Sequence, residues 1–262
     1  RLFLGLYLFG QMGMDFISGM AVYYVDDVLN AYQNGYFTYI MAVLLISQLI
    51  GMAVYGPIMS RTSKKQAIMI GGPIRLIGIL GLYFFSHEGA ALVPILCFTA
   101  LVGFGNAGSL TGIFAVMADM TDVDELITSI RRPGVVSSMA TFIRKISSGI
   151  SAALIGFLLA AAGYDEVLAS TGMRQAASTQ KGIALIFILA PAILTALLIL
   201  VNIFFPITRE EFNTVQKDIA RRKGEGSEAV TDREKAILEK VTGFTYDALW
   251  NKENAGTKKK KA

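Results

Sequence analysis

Arg144 and Lys145 lie about two turns inside an apolar stretch, in the segment MATFIRKISSGISAALIGFL. A charged side chain inside a membrane-length helix costs about 2.5–3.5 kcal/mol on insertion scales, so it is kept there to pair, to snorkel or to face a cavity. Adjacent helical residues point about 100° apart, so the two cations serve different directions. Lys145 shares a face with Thr141, Ser148, Gly149 and Ala152, a polar, small-residue stripe suited to the wall of a wet cavity. Arg144 shares its face with Ser147, Ser148 and Ser151 and is placed for pairing or anchoring nearby. Asp15 stands mid-helix in another apolar stretch, with Gln11 one turn before it and Ser18 and Gly19 one turn after. A carboxylate there has three uses: a cation partner on a neighbouring helix, a proton, or a bound substrate. Arg75, about nine residues into a third stretch, and Asp119, at the end of the fourth, are expected to form a salt bridge, with Arg131 as a further partner. In a transporter such a bridge would be a gate that breaks in one state.

Other chemistry is not written in the chain. It has no GxSxG, HExxH, Walker or CxxC pattern. Gly103-Phe-Gly-Asn-Ala-Gly108 imitates a dinucleotide fingerprint but lies within an apolar run without a preceding strand. The single cysteine, Cys97, has no partner for an internal disulfide, and one histidine, His87, cannot build a Cys/His metal site. No cofactor or metal is expected, and the chain reads as a non-enzyme.

Those charged residues must be held by helices in a membrane. The chain is 53% hydrophobic and only 17% charged, with mean hydropathy +0.53, well below the charge of ordinary soluble domains. Six stretches reach the roughly 20 residues a bilayer demands: 2–25, 36–59, 66–85, 91–117, 137–162 and 182–206. Thirteen of the 24 Lys and Arg residues follow Pro206, so the net charge of +4 describes mainly the tail. No folded face interleaves basic and aromatic residues, so nucleic acid is not an expected partner. The loops SRTSKK and TDVDELITSIRRPG carry Arg61, Lys64, Lys65, Arg131 and Arg132, whereas DDVLNAYQNG and SHEGA carry no Lys or Arg. Positive loops stay inside, which puts both basic loops, the tail and Arg1 in the cytoplasm of a multi-pass protein of the plasma (inner) membrane.

Two further expectations concern packing and the tail. Ser148, Ala152 and Gly156 recur at four-residue spacing, a pattern that lets helix backbones approach closely. Gly71-Gly72-Pro73 favours a kink. The tail, 208–262, opens with the capping box Thr208-Arg-Glu-Glu211, predicting a helix to about Arg222 ended by Gly224. Thr231-Asp-Arg-Glu234 repeats the signal, with Gly243 as its stop, and Lys258–Lys261 forms a solvated or lipid-facing run.

The acidic cluster Ala118-Asp119-Met-Thr-Asp122-Val-Asp-Glu125, the pair Arg131-Arg132-Pro-Gly134, and a downstream helix carrying Lys145 and ending in Gly163-Tyr164 follow in order. This pattern resembles the glycoside–pentoside–hexuronide:cation symporters, the group of the melibiose carriers within the major facilitator superfamily. The resemblance covers the six stretches and the start of the tail. It implies an all-α membrane fold: residues 1–207 as a six-helix bundle equivalent to helices 7–12 of a twelve-helix carrier, with a helical cytoplasmic tail. It implies a sugar or glycoside substrate, an N-terminal six-helix half as partner, and a coupling Na⁺ or H⁺ held mainly by that other half. Lys145 and Thr141 match positions near the sugar, with Asp15 and Gln11 as further polar candidates, and Asp119 with Arg131 matches an inner charged gate to which Arg75 and Asp122 are added. Leu110 stands where melibiose-type relatives offer an aromatic. Other readings are a facilitator for drugs, peptides or lipids, a six-helix half-carrier that dimerises, or a membrane scaffold.

Overall fold

A computed structural model describes residues 2–226 and 228–255. Arg1 and the Lys258–Lys261 run lie outside the described residues. Six long helices form the body: α1 (Leu2–Tyr23), α2 (Tyr36–Arg61), α3 (Lys64–Tyr83), α4 (Leu92–Thr128), α5 (Pro133–Ala161) and, after the short α6 (Glu166–Ser170), α7 (Ala177–Ile203). Five of these, α2, α3, α4, α5 and α7, are long and apolar enough to cross a membrane. The sixth, α1, has the length, about 33 Å at 1.5 Å per residue. Gln11, Asp15 and several glycines dilute its apolar content. Leu45, Ile46, Leu49 and Ile50 on α2, Ile77 and Leu80 on α3, and Leu189, Ile193 and Leu200 on α7 face outward. So much exposed aliphatic surface is untenable in water and natural against lipid.

Close backbone contact sets the register of the bundle. The antiparallel α3 and α4 touch at Gly71 and Gly105, where a Cβ on Gly105 would stand 2.4 Å from the Arg75 nitrogen and one on Gly71 2.5 Å from the Gly105 carbonyl. Only glycine permits that approach. The same register puts Gly78 against Val102 and Gly112 against Ile68. On the other side of α4, Gly103 meets Leu44 of α2. In turn α1 packs against both α5 and α7. Helix α3 runs through Pro73 as one assigned element.

Two large apolar clusters fill most of the interior, beside a small third one of Tyr55, Ala67 and Ala107. Phe16, Met20 and Tyr24 join Ile79, Leu82, Ile95 and Phe187 toward one end. Phe3, Leu6, Ile68, Ile113 and Leu198 join Val215, Ile219, Leu238 and Leu249 of the tail toward the other. The tail therefore shares a core with the bundle. It folds as α8 (Arg209–Arg222) and α9 (Asp232–Thr242), each with its capping box formed at Thr208 and Thr231. Gly224 and Gly243 adopt the left-handed conformation that ends these helices.

Two expectations need correction. Helix α4 does not end near Asp119; it continues to Thr128, so the acidic cluster is helical and only Ser129–Arg132 remains as loop. The tail packs against this extension, with Trp250 and Asn251 donating backbone hydrogen bonds to the carbonyls of Leu126 and Ile127. The stripe Ser148, Ala152, Gly156 is not a helix–helix seam within this chain, because α5 docks through Ala140, Ser147, Ser151 and Leu159 instead. The stripe is exposed, and a Cβ on Gly149 or Gly156 would meet nothing.

Candidate functional site

The site grows from the contact of α1 with α5. Tyr7, Gln11, Asp15 and Ser18 follow at near four-residue spacing along α1. Opposite them, Arg144 Nη1 donates to both carboxylate oxygens of Asp15 at 2.6 Å. The pair is half shielded, with side-chain exposures of 43% for Arg144 and 15% for Asp15. Gln11 lies one turn away and is buried, so it backs the pair rather than lining an open surface. Ser147 and Ser151 are buried with hydroxyl oxygens that make no hydrogen bond.

Lys145 points the other way. It is exposed, and it makes no hydrogen bond or ion pair among the described residues. Thr141, one turn earlier, is exposed too and returns its hydroxyl proton to the Ser137 carbonyl at 2.9 Å. Its lone pairs stay available outward. The α5 face of Thr141, Lys145, Ser148 and Gly149 is thus an open, hydroxyl- and cation-bearing surface beside a neutralised carboxylate. Such a surface can donate hydrogen bonds to hydroxyl or carboxylate oxygens, with Lys145 supplying a charge-assisted bond. It holds no nucleophile–base pair, and no group of three or more His, Cys, Asp or Glu able to hold a metal occurs among the described residues.

The expected bridge between Arg75 and Asp119 is not formed. Arg75 is fully buried, and its Nη1 donates to Asn106 Oδ1 at 3.1 Å. Asn106 precedes Asp119 by 13 residues on the same helix, about 20 Å along its axis. The residue opposite Asp119 in the α3–α4 register is Lys64, whose Nζ bonds Asp119 Oδ1 and also donates to the Ala115 carbonyl at 3.3 Å. The cleft beside this pair, about 150 Å³, is closed by Ile207, Thr208, Arg209 and Phe212 of the tail segment. Arg131 pairs with Asp122 at 3.3 Å and with Glu125 Oε2 at 3.0 Å, and the other oxygen of Glu125 takes Lys223 of α8 at 2.6 Å. Arg132 holds Asp124 in a two-pronged contact at 2.8 and 3.0 Å.

So the structure joins Asp15 to Arg144, sets Lys145 and Thr141 on one open face, and gathers Asp119, Asp122 and Arg131 at the basic end. It separates Arg75 from all of these. Lys64, Glu125, Lys223 and Asn106 escape a reading of single segments. The glycines at 71, 78, 105 and 112 carry the signal for Lys64 and Asn106, since pairing them antiparallel fixes which residues face each other.

The second and fourth loops and the tail meet at one end, where Arg209 donates to the Arg61 carbonyl and Lys65 to the carbonyls of Ile203 and Phe205. The other three loops meet at the opposite end, where Glu88 takes Asn30 at 3.0 Å and Arg174 at 2.9 Å. There Asp27 is pushed up to about 6 by burial and, second, by the neighbouring Asp26.

Residues 1–209 match the family model described as MFS/sugar transport protein. Three relatives illustrate the likeness. A glucuronide carrier protein homolog of Escherichia coli (strain K12) is 26% identical over 221 residues, which cover 82% of this chain and 46% of that protein. An isoprimeverose transporter of Lactiplantibacillus pentosus is 29% identical over 154 residues, 58% of this chain and 31% of that protein. A candidate sulfoquinovose importer of Salmonella typhimurium is 30% identical over 227 residues, 84% of this chain and 45% of that protein. The chain thus spans less than half the length of these relatives.

Proposed function

We propose, because this chain belongs to the MFS/sugar transport protein family, that it forms the C-terminal six-helix half of a secondary active carrier for sugars or glycosides. The carrier works by rocking two halves about a site near the membrane midplane. In this reading α1 takes part as a sixth span, its polar residues turned away from lipid. The N-terminal half covers the open stripe of α5, and a coupling Na⁺ or H⁺ binds mainly there. The basic loops and residues 208–262 lie on the cytoplasmic side of the inner membrane.

The observation that carries the proposal is the exposed ammonium of Lys145, mid-helix and without an ion pair among the described residues, beside Thr141 and next to a carboxylate already neutralised by Arg144. A cation left open at that depth is costly unless it meets a ligand or a wet cavity. Lys145 and Thr141 are assigned to substrate oxygens. Asp15 shapes the site through Arg144, and Gln11 supports it from behind. Asp119, Asp122 and Arg131, with Lys64, form the cytoplasmic gate. Arg75 is not part of that gate.

The test is uptake by the full-length carrier, upstream helices included, of a panel of glycosides, pentosides and hexuronides with and without a Na⁺ gradient. Ion-stimulated uptake of one class is the expected result. Absence of uptake for every sugar, from protein present in the membrane, would transfer the assignment to a facilitator for another solute class.

A further inference from the structure

Arg75 has a charge with no counter-charge among the described residues. It is 0% exposed, and among the described residues its Nε and Nη2 make no hydrogen bond and it has no ion pair. Its guanidinium lies against the bare backbone of Gly13, where a Cβ would stand 2.5 Å from Nη2. Its one hydrogen-bond partner is Asn106 Oδ1. A guanidinium has five donors and no acceptor, so Asn106 must turn its oxygen inward and its NH₂ outward. That NH₂ donates to Gln48 Oε1 at 3.2 Å and approaches Met14 Sδ at 3.3 Å. Gln48 must therefore also turn its oxygen inward, which leaves its own NH₂ pointing onward. Met14 and Gln48 are partly exposed where Asn106 is not. The chain Arg75–Asn106–Gln48 thus runs from the bundle interior to its surface on α2. All its members sit near the midpoints of their helices, as Lys145 does.

We infer that Arg75 is a positioning residue that acts through Asn106 and Gln48 to make this wall of the carrier select an anionic sugar, one bearing a carboxylate or sulfonate. The inference rests on the sugar-transport reading above. Each amide in the chain is locked by the charge behind it, and successive hydrogen bonds polarise one another. The wall therefore offers a donor backed by a full positive charge. A ligand with an anionic oxygen compensates a charge that is otherwise unpaired in a medium of low dielectric, and a neutral glycoside does not. Gly13 provides the room in which the guanidinium stays buried beside α1.

The test compares methyl glucuronide with methyl glucoside uptake by the full-length carrier. The wild type is expected to favour the glucuronide. Asn106→Asp gives Arg75 a carboxylate partner and removes the outward donor. It should lower the glucuronide-to-glucoside preference about tenfold, the scale of one unit charge acting through roughly 10 Å of protein at an effective dielectric of about 20. The change should fall on KM for the glucuronide, with maximal rate and membrane level retained. Gln48→Leu, at the partly exposed end of the chain, removes the terminal donor without adding a charge and without touching the buried arginine; it should lower the same ratio, and it decides the matter if Asn106→Asp fails to reach the membrane. A merely structural Arg75 predicts a more stable Asn106→Asp protein with an unchanged ratio in both variants, and that result overturns the inference. A wild type that favours the glucoside also overturns it while leaving sugar transport standing. A wild type that takes up neither sugar removes the transport reading and the inference together.

Discussion

The α1–α5 face and the basic end of the bundle are built from the same residue types but settle their charges differently. At the basic end every member of the acidic cluster has a basic partner: Asp119 has Lys64, Asp122 has Arg131, Asp124 has Arg132, and Glu125 has both Arg131 and Lys223. On the α1–α5 face one pair, Asp15–Arg144, is complete, and the adjacent Lys145 is left open. Paired charges fasten elements together. An unpaired charge at depth is retained at a cost in stability, and that cost is recovered when a ligand binds. Under the proposed function the first region would act as a latch and the second as a binding surface.

The sharpest way to break the contrast is to remove the open charge. Lys145→Ala in the full-length carrier should reduce sugar uptake by about 100-fold or more, the loss of a charge-assisted bond to substrate together with its orienting role. Protein in the membrane should stay at wild-type level, because Lys145 makes no hydrogen bond or ion pair among the described residues. Normal uptake at normal expression would refute the assignment of Lys145 to substrate. Asp15→Asn comes next. It leaves Arg144 without its counter-charge, which for a fully buried pair would cost about 3–5 kcal/mol. With Arg144 half exposed, about 1–2 kcal/mol is the better expectation. Thermal unfolding in detergent should show it, and Asp15→Asn with Arg144→Gln should recover part of the loss as a coupled pair does.

At the basic end the corresponding break is Glu125→Gln, which weakens links to loop four and to α8 at once. The expected cost is about 1–2 kcal/mol, since one charge-assisted hydrogen bond to a nearly buried carboxylate is worth about that. It should be read as faster proteolysis of the tail, with the α1–α5 face unaffected. Cleavage at an unchanged rate would mean that the apolar contacts of Val215, Ile219, Leu238 and Leu249 hold the tail without the ion pairs.

How much of this was legible beforehand differs between the same two regions. The tail helices and their stops were readable to the residue, because capping boxes and C-terminal glycines are local signals. That Arg144 and Lys145 face different directions, about 100° apart, follows from helical geometry alone. The partner of Asp119 was not, because it depends on how α3 slides along α4, and that register is set by glycines seven residues apart rather than by the charges. The length of α4 is hidden for a related reason: polar residues end a membrane span but not a helix, and the tail stabilises the exposed turns by packing on them. Asn106 is masked by the glycine-rich run around it, which imitates a different motif.

The smallest effect tests whether the latch extends into the tail itself. Glu234 is held down at about 2 by the Thr231 backbone amide first, and then by Arg221 and Lys217 beside it. Its ordinary value is 4.5. A carboxyl whose folded value is depressed contributes stability that is fully present above the unfolded value and is lost as pH falls through the folded one. Acidification from about pH 4.5 toward 2 should therefore loosen α9 from α8, where Arg221 Nη2 meets Glu234 at 2.8 Å. Hydrogen exchange should rise first in the α9 amides. Glu234→Gln should show the faster exchange already at neutral pH and respond less over that window. If instead the amides of α1 and α5 loosen together with α9, the tail and the bundle are one cooperative unit, and the basic end is less a detachable latch than part of the core.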